Sequence, residues 1–317
     1  MKAARLHAYK DPTSMQLDDA PAPQPGGGEV LVRVHAAGVT PTELLWWPTS
    51  TRRDGTPRPL PLILGHELSG EVAALGAGVT AVHLGDAVFG LNDWFADGAS
   101  AELCVAKVGA IAAKPTSLDH AHAAVLPISG LTAWQGLFER AALQRGQRVL
   151  IHGGAGAVGG FAVQLARWRG AHVLATVSAH NVAFVRELGA DEVIDYAATR
   201  FEDVAGDVDV VFDTVGGATL QRSWSVLKPG GKLVTIAAAE EGTRDAAVRQ
   251  AFFIVEPNSA QLSELARLID AGALRACVDA EFPLAEARAA YTHRTRRGKA
   301  VLVVRRERPE TVSAGSG

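Results

Sequence analysis

The 317-residue chain has only two cysteines, Cys104 and Cys277. That excludes a disulfide framework and fits a reducing compartment, so a cytoplasmic protein is expected. No apolar run reaches membrane-spanning length, and the N-terminus lacks the apolar core of a signal peptide. Neither sign of charge dominates: 34 acidic residues face 31 basic ones, a formal net charge of −3. No basic run stands out, so neither a nucleic acid nor a membrane is expected as a partner.

Glycine, by contrast, is plentiful, and five glycines fall between Gly153 and Gly160 in the stretch QRVLIHGGAGAVGGFAVQLARWRGAHVLATVS. Val149, Leu150 and Ile151 form the short apolar run of a strand buried on both faces. From Ala157, the residues Val158, Phe161, Ala162, Leu165 and Trp168 recur at three- and four-residue spacing, which predicts a helix with one buried stripe. Gly170 is placed to end it, and His172 to Val177 supplies a second strand. Gly154, Gly156 and Gly159 match G-x-G-x-x-G in this strand–turn–helix–strand setting. The motif assigns Gly154 to the tight turn, Gly156 to close approach of a pyrophosphate, and Gly159 to helix–strand packing. With Ala155, Ala157 and Val158 they form the expected phosphate cradle of a dinucleotide, at a helix N-terminus that favours anions.

The end of the second strand runs Thr176-Val177-Ser178-Ala179-His180-Asn181, with no carboxylate before Glu187. An acid there would hold the ribose 2′-hydroxyl of NAD and repel a 2′-phosphate. Its absence permits NADP, with Ser178 and His180 as candidate partners of that phosphate. His180 reads equally well as a solvated residue at a helix start.

Residues 1 to 110 read as β-rich. Lys2 to Tyr9 is one strand, and Val30 to Val39 alternates Val30, Val32 and Val34 against Leu31, Arg33 and His35, as in a half-buried strand. Short strands at Glu71 to Leu75, Ala87 to Leu91 and Ala101 to Val108 suggest a barrel-like unit. Thr40 to Arg58 reads as a loop from its Pro, Thr and Gly content. Ser117 to Arg140 reads as largely helical. The alternation that follows, down to a strand at Lys232 to Ala237, predicts a parallel doubly wound sheet. Leu262, Leu265, Leu268 and Ile269 mark a packed helix over Asn258 to Asp270. Arg305 to Gly317 is charged, then Ser/Gly-rich, and is expected to fray.

Gly65-His66-Glu67, Gly70, Gly76 and Val79 follow the signature of zinc-containing alcohol dehydrogenases. Together with EVLVRVHAAGV, LPISGLTAW, QRVLIHGGAGAVG, LGADEVIDY, VFDTVGG, LKPGGKLV and RGKAVL, they make the chain resemble the medium-chain dehydrogenase/reductase superfamily. Within it the chain is most similar to the zinc-free quinone oxidoreductase branch, the zeta-crystallin-like proteins. The resemblance implies an α/β protein: a Rossmann doubly wound parallel sheet domain over 126–270, and a β-rich GroES-like barrel domain over 1–125 and 271–317. It implies an NADPH-dependent reductase of quinones or activated C=C bonds, taking a small apolar carbonyl or quinone substrate and forming a homodimer. A zinc alcohol dehydrogenase and a crystallin-like nucleotide binder without turnover are the alternatives.

The residue roles implied by the resemblance follow its motifs. Zinc-dependent relatives carry a Cys where this chain has Thr40, a third ligand near Ile128 and Ser129, and a four-cysteine lobe where only Cys104 occurs. No zinc is therefore expected, even with His66 and Glu67 present. Thr40 and His66 become the catalytic candidates, and Trp46 and Trp47 the candidate apolar wall for a flat substrate. Arg52, Arg53 and Arg58 can attract an anionic substrate, or simply be solvated. With no Tyr between Tyr9 and Tyr196, this loop cannot supply a tyrosine acid. Thr132, Ala237, Phe253 and Ile254 fall where relatives border the nicotinamide, and Val215 ends a strand at the edge where such sheets bind ligands. Tyr196 falls at the adenosine 2′-phosphate. A Lys used there by some relatives aligns with Val182. Lys299 reads as a surface residue, or as one reaching cofactor phosphate.

Overall fold

The computed structural model describes residues 1–305. The strands are β1 (Lys2–Leu6), β2 (Met15–Asp19), β3 (Glu29–Gly38), β4 (Leu62–Ile63), β5 (Glu67–Leu75), β6 (Ala87–Leu91), β7 (Leu103–Lys107) and β8 (Ile111–Ala113). After the first helices come β9 (Arg148–His152), β10 (His172–Val177), β11 (Glu192–Asp195), β12 (Val208–Asp213), β13 (Leu227–Thr235), β14 (Val278–Pro283) and β15 (Lys299–Val303).

The β-rich unit is built on β3. It pairs antiparallel with β5, β7 and β15, in a sheet ordered β14-β15-β3-β5-β6-β8, while β2, β1 and β4 form a smaller sheet. The expected half-buried alternation of β3 fails: apart from Arg33 it is almost wholly buried. The helix His120–Ala124 covers its second face, bringing the His35 and His120 rings to 4.2 Å. The last part of the chain returns here, since β15 pairs Val301 with Gly38 and Leu302 with Ala37.

The second sheet is parallel and ordered β11-β10-β9-β12-β13. Counting from β9, that is 3-2-1-4-5, the order of a dinucleotide-binding sheet. Val149, Leu150 and Ile151 are fully buried in its central strand; each such side chain contributes about 1.5–3 kcal/mol on leaving water. The helix Ala157–Arg169 ends at Gly170 with φ +83°, the left-handed cap expected of glycine there. Its stripe differs at the end. Trp168 is part-exposed and packs with Trp134 and Phe138, while the Arg169 guanidinium lies 4.2 Å over Phe138.

Two further expectations need adjustment. Thr40 to Arg58 contains a 3₁₀ turn, Pro41–Leu45, and one helical turn, Trp47–Ser50, each started by a proline. The helical stretch after Ser117 breaks into His120–Ala124, Pro127–Trp134 and a π-helical Gln135–Arg140. The expected fraying of Arg305 to Gly317 lies outside the described residues beyond Arg305.

Candidate active site

The positive φ of the glycine turn belongs to Gly153 (φ +76°), not to Gly154. A Cβ on Gly154 would instead press on Ala175 and Val185, at 3.0 and 3.3 Å. At Gly159 a Cβ would come within 2.1 Å of the Gly153 carbonyl oxygen, so this glycine sets the helix against the loop. Gly156 is different. Its backbone (φ −72°, ψ 173°) suits any residue, and a Cβ would meet only the Gly153 carbonyl oxygen, at 3.3 Å. The protein itself thus leaves room at Gly156. No side chain caps the helix that Ala157, Val158 and Gly159 begin, so its first N–H groups remain available to an anion. Ala155 accepts a hydrogen bond from Gly298 N–H at 3.0 Å, which pins the returning C-terminal segment to the loop. These residues fit a dinucleotide pyrophosphate.

At the end of β10, Ser178 Oγ lies 3.3 Å from His180 Nε2 and accepts from Asn181 Nδ2 at 3.3 Å. Tyr196 follows β11, its side chain exposed and its N–H donating to Val177. Val182 opens the next helix. The sequence reading missed Arg297. Its Nε donates to Asn181 Oδ1 (3.0 Å), its Nη2 donates to the His180 carbonyl (3.1 Å), and it lies 4.9 Å from the Phe184 ring centre. Arg297, more than a hundred residues downstream, thus brings a cation to the strand end where Val182 offers none.

Of the residues expected beside the nicotinamide, Thr132 is buried and donates back to the Ile128 carbonyl at 2.6 Å. Val215 is exposed after β12, beside Gly216, whose N–H and that of Val215 donate to the buried Asp213 carboxylate. Ala237 is buried just past β13. Phe253 and Ile254 part company: Phe253 packs into the core under Arg140, whereas Ile254 is exposed.

On the barrel side, six residues from three parts of the chain form one buried cluster. Lys299 is not at the surface; it is 6 % exposed, its ammonium ion-paired with Glu67 and donating to Thr40 Oγ1 at 3.0 Å. The second Glu67 oxygen accepts from Ile128 N–H at 3.0 Å. Next to this pair, Glu43 accepts from Gly65 N–H at 3.1 Å and from the Tyr291 hydroxyl. Burial pushes the Glu43 carboxyl up to about 7, and burial together with Glu43 pushes the Tyr291 phenol well above its ordinary range. Neither residue was foreseen. Glu43 stands in the loop read for its Thr40, Trp and Arg residues, and Tyr291 enters from the returning segment.

His66 is held by Asn92, beside Glu43. Asn92 donates its amide to the Asp97 carbonyl at 2.9 Å, so its Oδ1 faces His66 Nδ1, also at 2.9 Å. The His66 proton therefore sits on Nδ1. Nε2 points toward Glu43 Oε2 at 3.9 Å, and burial lowers the imidazole to about 4. In this tautomer the neutral ring has no free N–H and keeps its Nε2 lone pair, so His66 is placed to accept rather than donate a hydrogen bond. Trp46 lies nearly parallel to the ring (22°, 6.3 Å), and Trp94 meets it edge-on. Trp47 turns away, packs edge-on against Phe95 and does not join this wall.

The same contacts test the donor set against zinc. Zinc prefers thiolate, imidazole and carboxylate. Here Thr40 offers a hydroxyl, Glu67 is engaged by an ammonium, and the Nδ1 of His66 is occupied. Among the described residues no three His, Cys, Asp or Glu side chains converge for a metal. A dication beside the Lys299 ammonium would also be repelled. These residues do not fit a zinc ion.

Comparison with known proteins bears on the same arrangement. Residues 26–163 match the family model of the alcohol dehydrogenase GroES-like domain, and residues 188–302 that of the zinc-binding dehydrogenases. A mitochondrial NAD(P)H oxidoreductase of Danio rerio is 30% identical over 89% of this chain and 85% of its own. An NADPH-dependent alkenal/one oxidoreductase of Arabidopsis thaliana is 33% identical over 83% of this chain and 67% of its own. The structure of the quinone oxidoreductase from Coxiella burnetii superposes with a TM-score of 0.87 at 32% identity, covering 96% of this chain and 99% of that one. The chain belongs to the medium-chain dehydrogenase/reductase superfamily and is an NAD(P)-dependent oxidoreductase.

Proposed function

We propose that the chain is an NADPH-dependent reductase of quinones or of C=C bonds conjugated to a carbonyl, acting on a small apolar substrate without zinc. The observation that carries this reading is the Lys299–Glu67–Thr40 cluster, in which an ammonium engages the carboxylate and hydroxyl at two of the positions that the resemblance assigns to zinc ligands in zinc-dependent relatives. The substrate binds between the unit of 1–125 with 271–317 and the unit of 126–270. Bound NADPH supplies the hydride. Gly156 and the amides of Ala157 to Gly159 hold its pyrophosphate, and Ser178, His180, Tyr196 and Arg297 face its 2′-phosphate. Thr132, Val215, Ala237 and Ile254 border the nicotinamide.

The ammonium of Lys299 donates to Thr40 Oγ1, and the Thr40 hydroxyl in turn makes only a long contact to Glu67 Oε1, 3.4 Å, from which its proton can turn to a substrate. Directed at the substrate carbonyl, that proton stabilises the negative charge that develops on oxygen as the β-carbon accepts hydride. Glu67 holds Lys299 in place. Trp46 provides the apolar wall. His66, neutral and fixed by Asn92, spaces that wall from Glu43. A homodimer in a reducing, cytoplasmic compartment completes the proposal, supported by the unpaired Cys104 and Cys277. The test is NADPH oxidation across a panel of enones and quinones, with elemental analysis of the same protein. Turnover with no stoichiometric zinc is expected. One tightly held zinc per chain, removed with loss of activity, would overturn it.

A further inference from the structure

A recess lies against Arg52 and Arg58, on the loop that carries Trp46. It is a cleft of about 390 Å³ lined by Arg5, Arg52, Arg58, Leu60, Phe95 and Asp97, with Pro59, Pro61 and Leu62. Three guanidinium groups face one carboxylate. Each arginine is held differently. Arg58 is buried, donating to the Pro48 carbonyl (3.3 Å) and to Asp97 Oδ1 (3.2 Å), an oxygen already shared with Ile63 N–H. Arg5 donates to the Pro61 carbonyl (3.3 Å) and lies 3.7 Å from Asp18, yet its buried Nε has no partner. Arg52 is exposed and makes no side-chain hydrogen bond or ion pair among the described residues. A buried donor without an acceptor leaves its lost hydration uncompensated, and a positive wall raises the local concentration of anions. Phe95, with Arg53 lying 4.4 Å from its ring centre, and Leu60 give the cleft an apolar side.

We propose that this cleft is a binding site for a small phosphoryl compound with an apolar body, its phosphate on Arg5, Arg52 and Arg58 and its body on Phe95 and Leu60. Guanidinium forks match phosphate oxygens in pairs, which an isolated ammonium does not. The volume lies within the range of small-molecule sites. The site is also wired to the cluster described above. Asp97 closes the cleft with its carboxylate, while its carbonyl holds Asn92, which in turn holds His66. An anion that draws Arg58 away from Asp97 therefore acts two hydrogen bonds from the ring against which Trp46 rests. The binding step does not depend on the reductase reading.

The experiment is calorimetric titration of phenyl phosphate into the full chain saturated with NADPH, so that the glycine loop is filled. One site is expected, weakened at least tenfold in Arg52→Glu. The Arg52 side chain is exposed and its loop is held by backbone bonds to Thr56 and Gly55, which Arg52→Glu retains, so the variant keeps its fold. Arg5→Gln should weaken binding as well, and phenol should not bind. In the Gly156→Val variant without cofactor the affinity should be unchanged. Absence of binding, equal affinity in Arg52→Glu, or loss of binding in Gly156→Val would each overturn the assignment, the last by placing the phosphate on the glycine loop.

Discussion

At the glycine loop the groups offered to a ligand are backbone amides, and all come from the one stretch that runs from β9 through β10. At the cluster around Glu67 they are side chains drawn from Thr40, Glu43, His66, Glu67, Tyr291 and Lys299. The first site is held by steric exclusion: Gly159 has no room for a Cβ against the Gly153 carbonyl, and Gly154 fits closely against Ala175 and Val185. The second is held by buried charge, where an ammonium and a carboxylate neutralise each other away from water. The difference teaches what each site tolerates. A steric site fails by filling, and an electrostatic one fails by leaving a charge alone.

The largest effect is expected from unpairing the second site. Lys299→Met leaves the Glu67 carboxylate buried with only Ile128 N–H and the Thr40 hydroxyl, and should cost about 3–5 kcal/mol of stability. Adding Glu67→Gln should recover part of that. Urea denaturation measures both, and a single-variant cost below about 1 kcal/mol would show that the pair is solvated. Filling the first site comes next. Gly156→Val should weaken NADPH binding by at least about a hundredfold, or about 2.7 kcal/mol, with little change in Tm, because the backbone there suits any residue. Gly159→Ala should do the reverse, costing about 1–3 kcal/mol through overpacking. Equal behaviour of the two glycine variants would erase the distinction between approach and packing.

The same contrast explains what could be read from the sequence. The helix to Arg169, its cap at Gly170 and strand β10 were legible because period and turn chemistry are local. So was the parallel alternation. The two-faced burial of β3 was not, since it depends on a helix some eighty residues away. Thr40 and His66 were found through motif positions, but the partners that give them a role were not. Tyr291 reaches the Glu67 cluster, and Arg297 the end of β10, because β15 returns to β3; for the same reason Lys299 was read as a surface residue or a phosphate contact and not as the partner of Glu67. Only Glu43 left a local sign, as the one acid between Thr40 and Trp46.

Burial also leaves a titration signature confined to the electrostatic site and the core. Glu43 ionises near pH 7 in the fold instead of at its ordinary 4.5. It is therefore protonated in the folded chain while the unfolded chain has already released its proton. Its contribution is fully present below pH 4.5 and is lost as the pH rises to 7. His66, lowered to about 4, works the other way, as do His120 and His152, so stability from these groups rises toward pH 6.5. In wild type the two trends oppose. Glu43→Gln removes only the first, so between pH 5 and 6.5 its stability should climb more steeply than that of wild type, by about 1.4 kcal/mol per pH unit. Parallel curves would place Glu43 in water.

The smallest effect probes the one place where the steric site borrows a distant charge. Two of the five guanidinium N–H groups of Arg297 are spent on Asn181 and His180. Three remain for a 2′-phosphate beside Ser178 and Tyr196. A charge-assisted hydrogen bond of this kind contributes about 1.5–3 kcal/mol when desolvated, and less at an exposed corner. Arg297→Gln should therefore lower the ratio of kcat/KM for NADPH over NADH by about tenfold, near 1.4 kcal/mol. The loss should fall on NADPH alone and shrink as salt is raised. Ser178→Asp, which brings an acid to the ribose, should move the ratio further, toward NADH. Both ratios are measured with one common enone. Wild-type preference for NADH would overturn the NADP assignment. A ratio unmoved by Arg297→Gln would make the residue a clamp on Asn181, and leave the corner to Ser178, His180 and Tyr196.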